Sequence, residues 1–357
     1  MLNEVGKLES ENKMETIEEK ELFHKYPSIE NSYRNEFIEK IKMHGFANEP
    51  YCITEKIHGS NTQICYNYKT KLFEYGKRTC KLQLGESCYN VQNCFELVKD
   101  SVVHLAQYLA SKLTSLETVI VYGEVFGGNY PHEQVERDNK ASKVQKGVFY
   151  SNHNEWKAFD IAYTLENDER TYFLSGEDFF TVCNTCDIDT VPLLKVANTL
   201  NEALEYPNDN ESVVFEAYNL PKLDNNIMEG VVIRPWKRDL WMGQSRVVLK
   251  NKNEKFLEKS HEKRPNVQLE VPEKVKKTME EISTYITENR VNNVVSHLGE
   301  VTEKDIGKII GLTNKDVLSD FTKESGLFNL LDSTEEKMVT RYLNSEVAKV
   351  VRKVILK

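Results

Sequence analysis

Thr54-Glu55-Lys56-Ile57-His58-Gly59-Ser60-Asn61 sets a lysine in an alternating polar/apolar run, two residues ahead of a His-Gly pair. Such alternation marks a strand, and the strand period of two puts Lys56 and His58 on one face. Gly59 permits a turn and the close approach of a ligand. This is a posture for a nucleophilic lysine, although Lys-x-His-Gly alone is short enough to arise by chance.

Working outward, residues 23–256 have the texture of short strands and turns. Segments 51–68, 118–126, 155–163, 230–235 and 245–250 are rich in Val, Ile, Tyr and Phe. A helical period over 98–113 interrupts them, which predicts an α+β domain built on antiparallel sheets. Residues 1–21 hold seven acids against three bases and few aromatics, and read as an acidic, disordered leader outside the domain at 22–258. Residues 259–272 are polar, contain Pro265 and Pro272, and read as a linker. From 273 to 357 the period is helical. Val275, Met279, Ile282 and Ile286 share a face, Thr302-x-x-Asp305 reads as a capping box, and Ser333-x-x-Glu336 opens a helix striped by Leu343, Val347, Val350 and Val354.

The 357 residues suffice for two domains, and no apolar run approaches ~18 residues, so no membrane span is expected. The N-terminal stretch lacks the apolar core of a secretory signal. Seven cysteines, an odd number, suggest reduced thiols and a cytoplasmic location. Cys183-x-x-Cys186 has no second pair or histidine at zinc-binding spacing and reads as two small, partly buried thiols. A net charge of −9 is unusual for a nucleic-acid protein, yet residues 231–260 carry eight bases against three acids. A local basic surface, not the total, is what a phosphate backbone meets.

Further chemistry-bearing stretches follow in order: Gly76-Lys-Arg78-Thr; Val121-Tyr-Gly-Glu124-Val-Phe-Gly-Gly; Ala158-Phe159-Asp160; Met228-Glu229-Gly-Val-Val-Ile-Arg-Pro235; and Val248-Leu-Lys250-Asn-Lys252. With Lys56 they resemble the covalent nucleotidyltransferase superfamily of polynucleotide ligases and capping enzymes, and most of all the RNA ligase 2 family of phage-type, nick-sealing RNA ligases. Glu-Lys-Ile-His-Gly, with histidine where DNA ligases and capping enzymes carry aspartate, is that family's form. Lys25-Tyr-Pro-Ser-Ile-Glu-Asn resembles its N-terminal start. Asn289-Arg-Val-Asn-Asn-Val-Val and Gly307-Lys-Ile-Ile-Gly-Leu-Thr resemble its C-terminal helical domain. The likeness spans about 22–355.

The resemblance implies an adenylation domain followed by an all-α, RNA-engaging domain, acting as a monomer. It implies an ATP-dependent ligase that joins 3′-hydroxyl and 5′-phosphate RNA ends, preferentially at nicks in duplex RNA, as in RNA repair. Lys56 would carry AMP. Arg78 would bind a phosphate, Glu124 the ribose hydroxyls, Phe159 would stack on adenine, and Lys250 and Lys252 would contact the α-phosphate. Glu55, Ile57 and Asn61 would complete the ATP site. Glu229, with Glu124, would hold Mg2+ or Mn2+ or its water. His58 is either an aid to pyrophosphate release or a hydrogen-bonded strand histidine. The rivals are a GTP-using capping guanylyltransferase, disfavoured by the His-Gly form and the helical C-terminal region, and a catalytically dead RNA-binding relative, disfavoured because each chemical position holds the expected residue type.

Overall fold

The structure, a computed structural model, describes residues 22–83, 85–86, 88–257 and 272–356. The expected leader and nearly all of the expected linker lie outside them. In chain order the elements are β1 (Glu30–Asn31), α1 (Asn35–Met43), β2 (Tyr51–Glu55), β3 (Ser60–Asn67), β4 (Phe73–Lys77), α2 (Val91–Ala110), β5 (Leu116–Gly127), β6 (Asn154–Leu165), β7 (Thr171–Phe173), α3 (Gly176–Thr185), β8 (Leu193–Ala197), α4 (Leu200–Leu204), β9 (Gly230–Pro235), β10 (Trp241–Met242), β11 (Ser245–Arg246), β12 (Leu249–Lys252), α5 (Glu273–Ser283), α6 (Glu288–Leu298), α7 (Ile306–Glu324) and α8 (Ser333–Ile355).

Two five-stranded sheets carry the first part, ordered β1-β12-β9-β2-β8 and β4-β3-β5-β6-β7. Their pairings are antiparallel except for the short β1–β12 pair, which is parallel. The expected single strand over 51–68 is in fact two, β2 and β3, one in each sheet. Residues 56–59 cross between the sheets, so Lys56 stands just past a strand end and not within one. The expected strand over 245–250 is likewise split into β11 and β12. The predicted helix over 98–113 is α2, which starts at Val91. Its N-cap, Asn90, is in the left-handed conformation and makes no side-chain capping bond, so the sequence there lacks the usual start signal.

Apolar periodicity explains the layers. Phe95, Val102, Leu105 and Leu109 of α2 bury against Ile64, Val121 and Trp156 of the second sheet. Phe37, Ile38 and Ile41 of α1 bury against Tyr51, Ile53 and Ile233 of the first. The helices α5–α8 close round a core of their own that includes Val275, Met279, Ile282, Phe321, Leu343 and Val347. The Thr302/Asp305 capping box is present. The box expected at Ser333/Glu336 lies one residue earlier, at Asp332 and Glu335.

Among the described residues, no apolar cluster has members on both the sheet and the helical side. Polar bonds join the two. A helix leaves its last carbonyls unpaired, and those of α6 are met from the sheets. Ser60 Oγ donates to Ser296 O, Tyr89 Oη to Gly299 O at 2.9 Å, and Lys77 Nζ to Leu298 O at 3.5 Å.

Candidate active site

The crossing from β2 to β3 is held by backbone on both sides. The Lys56 N–H donates to Gly230 O at 2.9 Å. Gly59 runs so close to β5 that a Cβ there would overlap the Val125 carbonyl oxygen and lie 2.9 Å from Glu124 Cγ. The glycine is therefore needed for strand packing, where the sequence suggested ligand approach. Gly230 has φ +147°, and a Cβ there would overlap Asn251 O on β12. That tight contact brings Glu229, the residue before it, beside Lys252, whose register partner is Gly230.

The result is an ion cluster at the crossing. Lys56 Nζ lies 2.7 Å from Glu229 Oε2, and His58 Nδ1 lies 3.5 Å from the same oxygen. Lys252 Nζ takes the other oxygen, Oε1, at 3.0 Å. Burial pushes the Glu229 carboxyl up, but Lys56 and Lys252 overcome this and hold it well below the usual carboxylate range. Glu124 has the opposite outcome. Burial pushes it up to about 7, and the charge of Glu229 adds to the shift, against Lys56 and Arg78.

A cleft of about 680 Å3 opens over this cluster. Every residue assigned a role from the sequence lines it: Glu55, Lys56, Ile57, His58, Asn61 and Arg78, then Glu124, Phe159, Glu229, Lys250 and Lys252. Buried polar atoms in its wall without a hydrogen-bond partner include Glu55 Oε1 and Asn61 Oδ1. The other carboxylate oxygen of Glu55 accepts from the Val213 N–H at 3.0 Å. Burial pushes Glu55 up to about 7, opposed by the Ser212 hydroxyl and that N–H. Phe159 lines the cleft and also packs edge-on against Tyr26, ring centroids 5.1 Å apart, so packing and ligand contact coexist in one ring.

Sequence reasoning missed the group beneath Phe159. Asp160 is fully buried and accepts from Arg234 Nη1 at 2.8 Å, from Arg246 Nη1 and from Tyr26 Oη at 2.9 Å. Burial raises the Asp160 carboxyl, yet the two guanidiniums hold it below its ordinary value. Arg234 reaches the cleft and keeps Nε and Nη2 without partners. Its partner lies 74 positions away, so no local spacing could announce the pair. The helical wall of the cleft, including His297, Ser319, Lys315 and Lys323, was also unforeseen.

Other sequence readings resolve simply. Cys183 and Cys186 are buried free thiols. No described helix is long and apolar enough to cross a membrane. Among the described residues no group of three or more His, Cys, Asp or Glu side chains could hold a metal alone.

Comparison with known proteins gives two family matches, "RNA ligase" over residues 49–252 and "T4 RNA ligase 2 C-terminal" over residues 269–349. RNA-editing ligase 2, mitochondrial, of Trypanosoma brucei brucei is 28% identical over 160 residues, 41% of this chain and 38% of that protein. Among solved structures, the RNA ligase of Naegleria gruberi with PPi matches at TM-score 0.43 and 14% identity, over 66% of this chain and 58% of that one. A mutant of the same ligase with ATP and Mn matches at TM-score 0.42 and 13% identity, over 64% of this chain and 56% of that one.

Proposed function

The chain belongs to the RNA ligase family, of the RNA ligase 2 type, and from this we propose that it is an ATP-dependent RNA ligase with Lys56 as the AMP-bearing nucleophile. The observation that carries the reading is the position of Lys56 Nζ at the floor of the cleft, 2.7 Å from Glu229 and beside Lys252.

The chemistry has three displacements. The Nζ lone pair attacks the α-phosphorus of ATP, an N–P bond forms, and the bond to pyrophosphate breaks. A 5′-phosphate oxygen of RNA then displaces the lysine and takes AMP. A 3′-hydroxyl finally attacks that phosphate, forms the 3′–5′ phosphodiester and releases AMP. Nζ must lose its proton before the first attack. Lys252 occupies the second oxygen of Glu229, at 3.0 Å.

The remaining walls suit the rest of a nucleotide. Phe159 offers a face for adenine, and the orphaned Glu55 Oε1, Asn61 Oδ1 and Arg234 nitrogens offer polar contacts. Arg78 supplies a guanidinium for phosphate, while Lys250 and Lys252 supply charge at the α-position. Glu124 would take the ribose hydroxyls, as the resemblance implies. His58, 3.5 Å from Glu229, would either aid pyrophosphate release or hold that carboxylate in place. A magnesium or manganese ion fits here, because such ions bind through one or two carboxylates plus substrate phosphates. Glu229 and Glu124, close enough for one to raise the other's pKa, would hold it. When bound it neutralises the charge of the reacting phosphates. Nicked duplex RNA is the expected substrate, with residues 273–357 as the RNA-engaging domain, residues 22–258 as the adenylation domain, and the chain acting as a monomer.

The test is labelling. Incubation with α-labelled ATP should leave label on the wild-type chain that survives alkali and is released by acid, as an N–P bond requires, and none on Lys56→Ala, which should still seal a pre-adenylated nick. Label persisting on Lys56→Ala would sink the assignment, and label from GTP alone would favour the capping-enzyme alternative.

A further inference from the structure

A second cavity, of about 160 Å3, adjoins the cleft round Glu229. His58, Glu229, Lys252 and Asn293 line both spaces, whereas Phe159 and Arg234 line only the cleft. The outer wall brings Lys146 and Lys255 from the sheet side to face Asn292 and Asn293 of α6. Among the described residues of its lining Glu229 is the single acid, and both of that carboxylate's oxygens already face lysines. What remains is an excess of positive charge and carboxamide N–H donors, a lining for an oxyanion. The space is large enough for a phosphate group.

The walls are tied in place. Asn289 of α6 donates to Lys255 O at 2.9 Å and Leu257 O at 3.0 Å, which fixes the helix against the segment carrying Lys255. Lys255 Nζ donates to Gly147 O at 2.7 Å, leaving two of its N–H groups for a ligand.

We propose that this cavity is a phosphate-type oxyanion subsite, in which Lys146, Lys255 and Asn292 hold a phosphate group on the far side of Glu229 from the nucleobase end of the cleft. Its place in the reaction rests on the reading of Lys56 as the nucleophile; its binding property does not. The anion is either the diphosphate leaving ATP or the 5′-terminal phosphate of the acceptor RNA. Because α6 supplies the amides, the subsite is complete only while the helical region is docked.

The experiment uses the full chain as wild type, Lys146→Ala/Lys255→Ala, Asn292→Ala and Asn292→Asp, and needs no turnover. One arm titrates inorganic pyrophosphate calorimetrically. The other compares binding of nicked RNA duplexes bearing a 5′-phosphate or a 5′-hydroxyl at the nick. Charge-assisted bonds to phosphate predict a loss of about tenfold or more in pyrophosphate affinity, or of the preference for the 5′-phosphate, in the double variant. Asn292→Asp, which keeps the shape and adds a negative charge, should lose more than Asn292→Ala. If pyrophosphate affinity stays within about twofold of wild type and the two RNAs keep their relative affinities, whether or not both weaken together, the subsite does not exist. A wild-type chain that binds pyrophosphate through this cavity yet takes no label from ATP would overturn the ligase reading and leave the subsite standing.

Discussion

Glu55 carries a cost that pH can reveal. Its carboxyl is 1% exposed and pushed up to about 7 by burial. The folded chain therefore holds this proton to higher pH than the unfolded chain does. The stability tied to that proton is fully present below about pH 4.5 and is lost as pH rises through about 7. At ~1.4 kcal/mol per pH unit the loss approaches about 3 kcal/mol. Glu55→Gln keeps an oxygen for the Val213 N–H and cannot ionise. Its stability relative to wild type, measured by urea unfolding, should climb between pH 5 and pH 8 by up to that amount, and a flat difference would refute the burial argument. At this scale the cleft residues were legible through the motifs that resemble the RNA ligase 2 family, each of which is local in sequence. It could not reveal the Asp160, Arg234 and Arg246 cluster, whose members meet only through folding.

The crossing between β2 and β3 depends on space at Gly59, whose added Cβ would overlap the Val125 carbonyl oxygen. Gly59→Ala should therefore cost about 1–3 kcal/mol of stability and disturb Lys56 labelling. Gly311, inside α7 with open space around its Cβ position, is the control. Gly311→Ala should gain about 1 kcal/mol from helix propensity alone. Thermal melts of both variants distinguish a glycine required by packing from one merely tolerated. Elements were legible where apolar period and turn chemistry agreed, as in α5, whose stripe fills its own core. They were misread where one alternating run serves two sheets, as at 51–68. Both strands are buried along their whole length, and the turn permitted by Gly59 is the local mark of the change of partner. At α8 the cap was misplaced by one residue because Asp332 and Ser333 are both good caps, and the carboxylate won.

The whole molecule divides along a polar seam. The sheet region keeps its apolar clusters within residues 22–256, and the helices keep theirs within 275–355. A chain of residues 22–257 should therefore fold and form the lysyl adduct to within about tenfold of the full rate, since no core is cut. It should seal nicks at least ~10²-fold more slowly, because in-line positioning of two RNA ends tolerates little error. Equal sealing rates for the fragment and the full chain, measured by gel, would remove the helical region from substrate handling. Lys56 itself stands where both sheets meet, its N–H bound to Gly230 O and its amine to Glu229. A nucleotide bonded to it has no long tether on which to travel, unlike the swinging arms of carrier enzymes. Traffic in this reaction must then run the other way, with each RNA end brought to a stationary donor, and with turnover governed by how often the seam lets one in.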